Sequence, residues 1–275
     1  MFRKRCATKP ALRSGFGAVI TIFEGQKMDN VSKVIDMYDI SILVDGCEAL
    51  GMHLSSKQTE QFVTYYRLLE EKNRVMNLTA ITEWGEVQTR HYLDSLLIAG
   101  AADLRDGIRV LDMGTGAGFP GIPLKIAYPE LDIVLADSLN KRILFLNDVI
   151  DRLGLSGICA VHGRAEDLGR KSDYRESFDL VVSRAVANLS SLSEYCIPFV
   201  KTDGAFISYK SSDVDDELKQ AQHAISILGG GRPEVSSLPL PGTDIIRTFI
   251  KIRKERPTPN KYPRKAGTPS RDPLS

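Results

Sequence analysis

The chain predicts an α/β fold: a doubly wound, Rossmann-like, seven-stranded and mostly parallel sheet with a helical addition on its N-terminal side. Three observations lead there. From Arg109 onward, apolar strand candidates alternate with helical segments, the pattern of a parallel sheet covered on both faces. The first of those strands runs into a glycine-rich loop, Val110-Leu-Asp-Met-Gly-Thr-Gly-Ala-Gly-Phe-Pro-Gly121. Ahead of it, residues 31–100 carry apolar positions at helical spacing, such as Phe62, Tyr65, Tyr66 and Leu69. They read as three or four helices whose aromatics belong to a core rather than to a base-stacking platform.

The loop carries the first chemical signal. Gly114, Gly116, Gly118 and Gly121 let the backbone turn off a strand and approach a ligand, and Pro120 suits the first position of a following helix. Gly116-x-Gly118-x-x-Gly121 formally satisfies the dinucleotide fingerprint, so a nicotinamide or flavin enzyme is one reading. Asp112 weighs against it, because a carboxylate between the strand and the first glycine repels a pyrophosphate. The same carboxylate attracts the ammonium and sulfonium of S-adenosylmethionine, which has no phosphate.

The second strand candidate, Asp132–Asp137, ends in an acid 19 residues past Gly118, where a carboxylate accepts hydrogen bonds from ribose hydroxyls. The competing reading makes Asp137 a cap for the helix opening at Lys141-Arg142, a task that Ser138 or Asn140 could also perform. A third strand, Ile158–His162, leads into Gly163-Arg-Ala-Glu-Asp-Leu168, where Ala165 and Glu166 fit an adenine ring and its amino group. Alternatively, Glu166 and Asp167 are solvated acids in a helical turn. A fourth strand, Phe178–Ser183, brings Ser183-Arg184-Ala185 to the donor's methyl group, and a fifth, Phe206–Lys210, follows. Two more candidates, residues 235–240 and 245–252, supply an antiparallel end.

These blocks in order resemble the bacterial glucose-inhibited division protein B family, guanine-N7 methyltransferases of small-subunit (16S) ribosomal RNA. The resemblance rests on Arg90-His91-x-x-Asp94-Ser95, the glycine loop with Phe119-Pro120-Gly121, Asp137-Ser138-x-x-Lys141-Arg142 and Ser183-Arg184-Ala185. It also takes in Asn77-Leu78-Thr79-Ala80 and the ending Tyr262-Pro263-Arg264-Lys265-x-Gly267-Thr268-Pro269, and runs from about Asp29 to Leu274. It implies an S-adenosylmethionine-dependent methyltransferase in which Gly114, Phe119, Ala165, Glu166 and Arg184 contact the donor and Asp137 holds its ribose. Phe119, where the family also allows leucine, reads as a packing residue.

Guanine N7 carries a free lone pair, so no proton has to be removed before transfer, and positioning is expected to dominate catalysis. The sequence has no Asn-Pro-Pro-Tyr block after the fourth strand, the usual clamp for an exocyclic amine, and no cysteine suited to carbon methylation. Candidate acceptor contacts are Arg184, Lys210, His91 and Asn77. Arg184 fits a fork on the donor's carboxylate equally well, and Lys210 fits a surface lysine at a strand terminus.

Composition sets the frame. The 275 residues, 43% hydrophobic, suffice for one substantial core and a smaller helical addition. The expected organisation is a disordered extension over 1–28, a helical region over 29–100, a donor-binding domain over 101–253 and a basic, proline-rich tail over 254–275. Residues 16–23 form an apolar run too short to span a bilayer and lack a signal cleavage pattern, and Met28 would make a natural start. The four cysteines and four histidines are scattered, without zinc or disulfide spacing. A cytoplasmic protein without metal or membrane partners is the expectation.

The net charge of +1 hides an asymmetry. Residues 247–275 hold nine Lys or Arg against Glu255 and Asp272, a +7 segment beside a −6 remainder. With prolines at 257, 259, 263, 269 and 273, this end is expected to lie extended and to order on RNA or a ribosomal particle, unless it merely solubilises the chain. The readings left open are methylation of a small molecule or protein, a nicotinamide oxidoreductase, and a non-catalytic RNA-binding relic. Intact Gly114, Gly116, Gly118 and Asp137 oppose the last.

Overall fold

Alternating side chains decide the layers of the sheet. In the computed structural model, which describes residues 38–184, 187–211 and 214–274, seven strands pair in the order β3-β2-β1-β4-β5-β7-β6. They are β1 (Arg109–Met113), β2 (Asp132–Asp137), β3 (Ile158–His162), β4 (Phe178–Ser183), β5 (Val200–Lys210), β6 (Glu234–Pro239) and β7 (Ile246–Arg253). The first five are parallel, and β7 runs antiparallel between β5 and β6. Val110, Ile133, Leu135, Leu180, Val182, Ile207 and Phe249 enter one core, whereas Leu111, Val134, Ala136, Val181, Phe206 and Ile250 enter a second core across the sheet. Both faces are apolar because both are covered.

The first core is covered by α1 (Ser41–Ala49), α2 (Ser56–Met76), a continuous helical run α3 over residues 84–100, α4 (Gly121–Ala127) and α5 (Asn140–Arg152). The 84–100 run is α-helical at Trp84–Val87, π-helical at Gln88–Leu93 and 3-10 at Leu97–Gly100. Helix α2 begins at a capping box in which Ser55 N–H donates to Gln58 Oε1 at 2.8 Å, and it ends at Asn77 in the left-handed region, φ 49°. The second core is covered by α6 (Ala165–Leu168), α7 (Leu189–Cys196) and α8 (Asp215–Ile227), with α9 (Thr268–Arg271) outside α7. Among the described residues, no helix is long and apolar enough to cross a membrane.

The chain leaves β1 for β2 on one side and reaches β4 on the other, so the sheet's switch point lies at the C-terminal ends of β1 and β4. Asp112, Ser183 and Arg184 stand there.

Three expectations need correction. The helix after the glycine loop starts at Gly121, not Pro120; Pro120 occupies the N-cap position and follows a cis peptide. Close packing keeps a glycine at that first position: a Cβ on Gly121 would sit 2.2 Å from Leu135 Cδ2 and 3.0 Å from Asp112 Oδ2. The fifth strand starts six residues before Phe206, because Val200 pairs with Phe178 across a β-bulge although this polar stretch has no alternation.

The third concerns the basic end, which is docked on the fold. Lys254, 1% exposed, donates to the carbonyls of Ile197 and Val200 and to Thr258 Oγ1. Arg175 donates to the carbonyls of Thr258 and Tyr262 at 2.6 and 2.8 Å. Arg264 forms a fork on the fully buried Glu194, and Gly267 N–H donates to Glu166 Oε1 at 2.7 Å. The segment's carbonyls at Thr258, Tyr262 and Pro263 accept hydrogen bonds from Arg175 and Arg170, which dock it on the fold. The expected extension over 1–28 lies outside the described residues, as does Ala185.

Candidate functional site

The donor side of the switch point is made from backbone and carboxylates. Asp112 is fully buried within β1; its Oδ2 accepts the Thr115 hydroxyl at 2.7 Å and Gly121 N–H at 2.8 Å. Its Oδ1 is also buried and has no hydrogen-bond partner. Burial raises the Asp112 pKa to about 6, against the lowering effect of those two hydrogen bonds and of Arg184. A carboxylate left half-satisfied in this way holds acceptor capacity for an ammonium.

Asp137, at the end of β2, is equally organised. Its Oδ2 accepts Gly116 N–H and an Arg142 N–H, both at 3.0 Å, and its Oδ1 accepts Leu139 N–H at 2.9 Å. It does not cap α5, whose N-cap is Leu139 without side-chain capping, and neither Ser138 nor Asn140 caps it. Instead it ties the glycine loop to β2. Gly114 and Gly116 take φ of 72° and 63°, and a Cβ on Gly116 would meet nothing within 4 Å, so the loop borders open space there. At Gly118, φ 108°, a Cβ would strike the Tyr65 hydroxyl and Ile122 at 2.7 Å. Tyr65 from α2 explains the closeness, since its hydroxyl donates to Ala117 O at 2.6 Å and props the loop from behind.

Ala165 and Glu166 begin α6 just beyond β3, on the same sheet edge. Glu166 is buried rather than solvated, 5% exposed, with one oxygen held by Gly267 N–H. Phe119 is 5% exposed among Tyr65, Tyr92 and His91, consistent with its reading as a packing residue.

The acceptor side is a cleft of about 560 Å³ whose lining includes Arg90, His91, Asp94, Arg184, Lys210 and Arg247. At its centre Asp94, 1% exposed, joins two strands to α3. Its Oδ2 accepts Arg184 Nη1 at 2.8 Å and its Oδ1 accepts Arg247 Nε at 2.6 Å. Arg184 also lies over the Phe119 ring, 5.2 Å from its centroid. Lys210 is not a surface lysine; its side chain is 13% exposed, pairs with Glu217 at 2.6 Å and donates to Ala187 O. His91 stacks on Phe119 at 4.4 Å with its Nε2 2.8 Å from Thr79 Oγ1 and Nδ1 3.4 Å from Arg184. Burial first, then the Arg184 charge, lowers its pKa to about 3, so it stays neutral at physiological pH. A guanidinium has only donors, which assigns Nδ1 as acceptor and Nε2–H as donor to Thr79.

The structure thus gathers Arg184, Lys210 and His91 in one cleft and places Asn77 outside its lining, as the exposed end of α2. Sequence reasoning missed Asp94 and Arg247 as site residues. Both carried a signal. Asp94 is an acid among the buried Tyr92, Leu93, Leu96 and Leu97, and Arg247 shares strand parity with buried Phe249. A charge on an apolar face needs a partner, and here the two face each other.

No group of three or more His, Cys, Asp or Glu suited to a metal occurs among the described residues. The switch-point loop, a half-satisfied buried acid at the end of β1 and a second acid at the end of β2 define a class: doubly wound enzymes that use S-adenosylmethionine as methyl donor. The chain belongs to the rRNA small subunit methyltransferase G family, whose model matches residues 58–242.

Named relatives agree. The ribosomal RNA small subunit methyltransferase G of Lachnoclostridium phytofermentans is 55% identical over 238 residues, covering 86% of this chain and 98% of that one. The protein of the same name from Staphylococcus carnosus is 48% identical over 233 residues, 84% and 97% of the two chains. Among solved structures, the complex of the Haloferax volcanii Trm112 methyltransferase activator with a putative methyltransferase superposes with a TM-score of 0.51 at 14% identity, over 70% of this chain and 98% of that one. That likeness bears on the fold alone.

Proposed function

We propose that the chain transfers a methyl group from S-adenosylmethionine to N7 of a guanine in small-subunit ribosomal RNA. The observation that carries this reading is a cleft with four cationic side chains, Arg90, Arg184, Lys210 and Arg247, set against Phe119 of the glycine loop. Family membership supplies the class of acceptor.

When bound, S-adenosylmethionine supplies an electrophilic methyl carbon on its sulfonium. Asp112 Oδ1 is suited to the donor's ammonium. For ribose hydroxyls, Asp137 offers the acceptor capacity not taken by Gly116, Leu139 and Arg142, while the Ala165 backbone and Glu166 would border the base. On the other side, a guanine O6 and the flanking phosphates present only acceptors, matching the donors-only side chains of Arg184, Lys210 and Arg247. Holding O6 leaves the N7 lone pair unprotonated and free to attack. His91, neutral and stacked, gives the cleft a flat wall and moves no proton. Since N7 needs no base, fixing the two reactants in line carries the rate, up to about 7–11 kcal/mol of barrier.

RNA's major groove is too deep and narrow to admit this cleft, so the guanine is presented from single-stranded or loosened RNA. Incubating the protein with labelled donor and small-subunit RNA from cells lacking it, then digesting to nucleosides, tests the reading. Labelled 7-methylguanosine is expected, and equal transfer to a fully paired duplex would contradict the presentation. Donor binding without any labelled RNA would move the reading to a small-molecule or protein acceptor.

A further inference from the structure

We infer that the docked C-terminal segment forms a rigid phosphate-binding ridge beside the cleft, with Arg164, Arg170, Lys265 and Arg271 as its charges and the RNA backbone as its ligand. The inference rests on the RNA reading above and adds a second contact surface to it.

Placement comes first. Arg164 is the N-cap residue of α6, at the C-terminal edge of the sheet where the glycine loop also emerges. Gly267 is held to Glu166, two residues on, and Arg271 Nε donates back to Gly267 O at 3.1 Å. Arg170 donates to Pro263 O at 2.6 Å, so Lys265 lies between two anchored points. All four charged side chains belong to exposed residues.

Charge accounting comes second. The acids of this region are already engaged: Glu166 is buried under Gly267 N–H, Glu194 is fully buried against Arg264, and Asp272 is paired with Arg264 at 3.2 Å. Arg264 is therefore matched by Glu194 and Asp272, and the solvent sees the four remaining cations together with the exposed Asp167 and Asp272. In the cleft, by contrast, Asp94 is shared by two arginines and Glu217 pairs with Lys210. Unlike Arg184, Arg247 and Lys210, the four ridge cations form no ion pair among the described residues, and they stand on the edge where RNA must approach.

Rigidity comes third. A free basic arm would lose conformational entropy on binding, whereas this segment is fixed by Arg175, Arg170 and the Arg264–Glu194 pair before RNA arrives. Its charges contribute to affinity without an ordering cost.

The experiment measures binding of a small-subunit RNA fragment by the full chain over a range of salt, for wild type, Lys265→Glu, Lys265→Glu with Arg271→Glu, and Arg271→Lys. Each lost phosphate contact flattens the log affinity against log salt slope by about 0.7–0.9, so the double variant loses about 1.5 and binds on the order of ten-fold more weakly at low salt. Arg271→Lys retains the wild-type slope, because a phosphate needs the charge. Donor binding is unchanged in all four, which certifies the fold. RNA binding by wild type with the same slope in the double variant overturns the ridge, and so does normal binding of naked RNA with loss only on ribosomal particles, which would make the ligand an acidic protein. Failure of the wild type itself to bind RNA would strike the RNA reading instead.

Discussion

The two sides of the site are built on different principles. The proposed donor side rests on backbone N–H groups and two carboxylates, Asp112 and Asp137, from strands adjacent in the sheet, with the N–H groups supplied by nearby loop residues. The acceptor side is a constellation of charged side chains drawn from α3, the end of β4, β5 and β7, with Asp94 bonded to partners 90 and 153 positions away in the chain. The first holds Gly114, Gly116 and Gly118 at positive φ, with a Cβ at Gly118 striking Tyr65 and Ile122; the second depends on one buried acid that two arginines share. A loop that cradles a common cofactor is fixed by local backbone geometry, whereas a surface that selects a particular nucleic acid is fixed by tertiary pairing.

Breaking the shared acid has the largest expected effect. In Asp94→Asn, two mostly buried guanidinium groups lose their counter-charge, which costs about 3 kcal/mol of stability in a denaturant titration. Methyl transfer falls on the order of a hundredfold, since two charge-assisted contacts loosen together. Donor affinity in the folded fraction stays unchanged, as measured by calorimetry. Equal losses of donor and RNA affinity would erase the distinction between the two sides.

The mirror experiment is Asp137→Ala. It removes charge-assisted bonds each worth roughly 1.5–3 kcal/mol, so donor Kd rises about ten- to hundred-fold while RNA affinity holds. An unchanged donor Kd in a folded variant would refute its role.

Acidity separates the sides further. The Asp112 carboxyl has its pKa raised to about 6, and only the carboxylate attracts an ammonium. Donor affinity is therefore flat above neutrality and weakens as pH falls through 6, by about tenfold per unit, with protons released on binding in that acidic range. Calorimetry in two buffers of different ionisation enthalpy reads the release. His91, with a pKa of about 3, adds no inflection near 6.5 to the activity profile. The smallest effect belongs to Tyr65→Phe: losing the bond to Ala117 O costs about 1 kcal/mol of stability and weakens donor binding a few-fold.

Legibility in the sequence follows the same division. The spans of β2, β3 and β4, Asp132–Asp137, Ile158–His162 and Phe178–Ser183, are readable because apolar runs between turn residues report local geometry. The glycine loop is readable for the same reason, down to the two acids that flank it. Helix α4 begins at Gly121 rather than at Pro120, and the close packing of Gly121 on Leu135 is a tertiary fact that the local pattern does not report. The basic end reads as a free arm because composition counts charges but not partners; Lys254, Arg264 and Glu194 show their pairing only once folded. Arg247 was counted with that arm, although β7 carries it to the cleft beside Asp94.

The most direct test of the proposed chemistry replaces guanosine by 7-deazaguanosine in the small-subunit RNA substrate, leaving O6 and every phosphate in place while removing the N7 lone pair. This RNA is expected to bind as well as the natural one and to accept no methyl group. Undiminished transfer to the 7-deaza substrate would place the reaction on another atom and contradict the proposed chemistry.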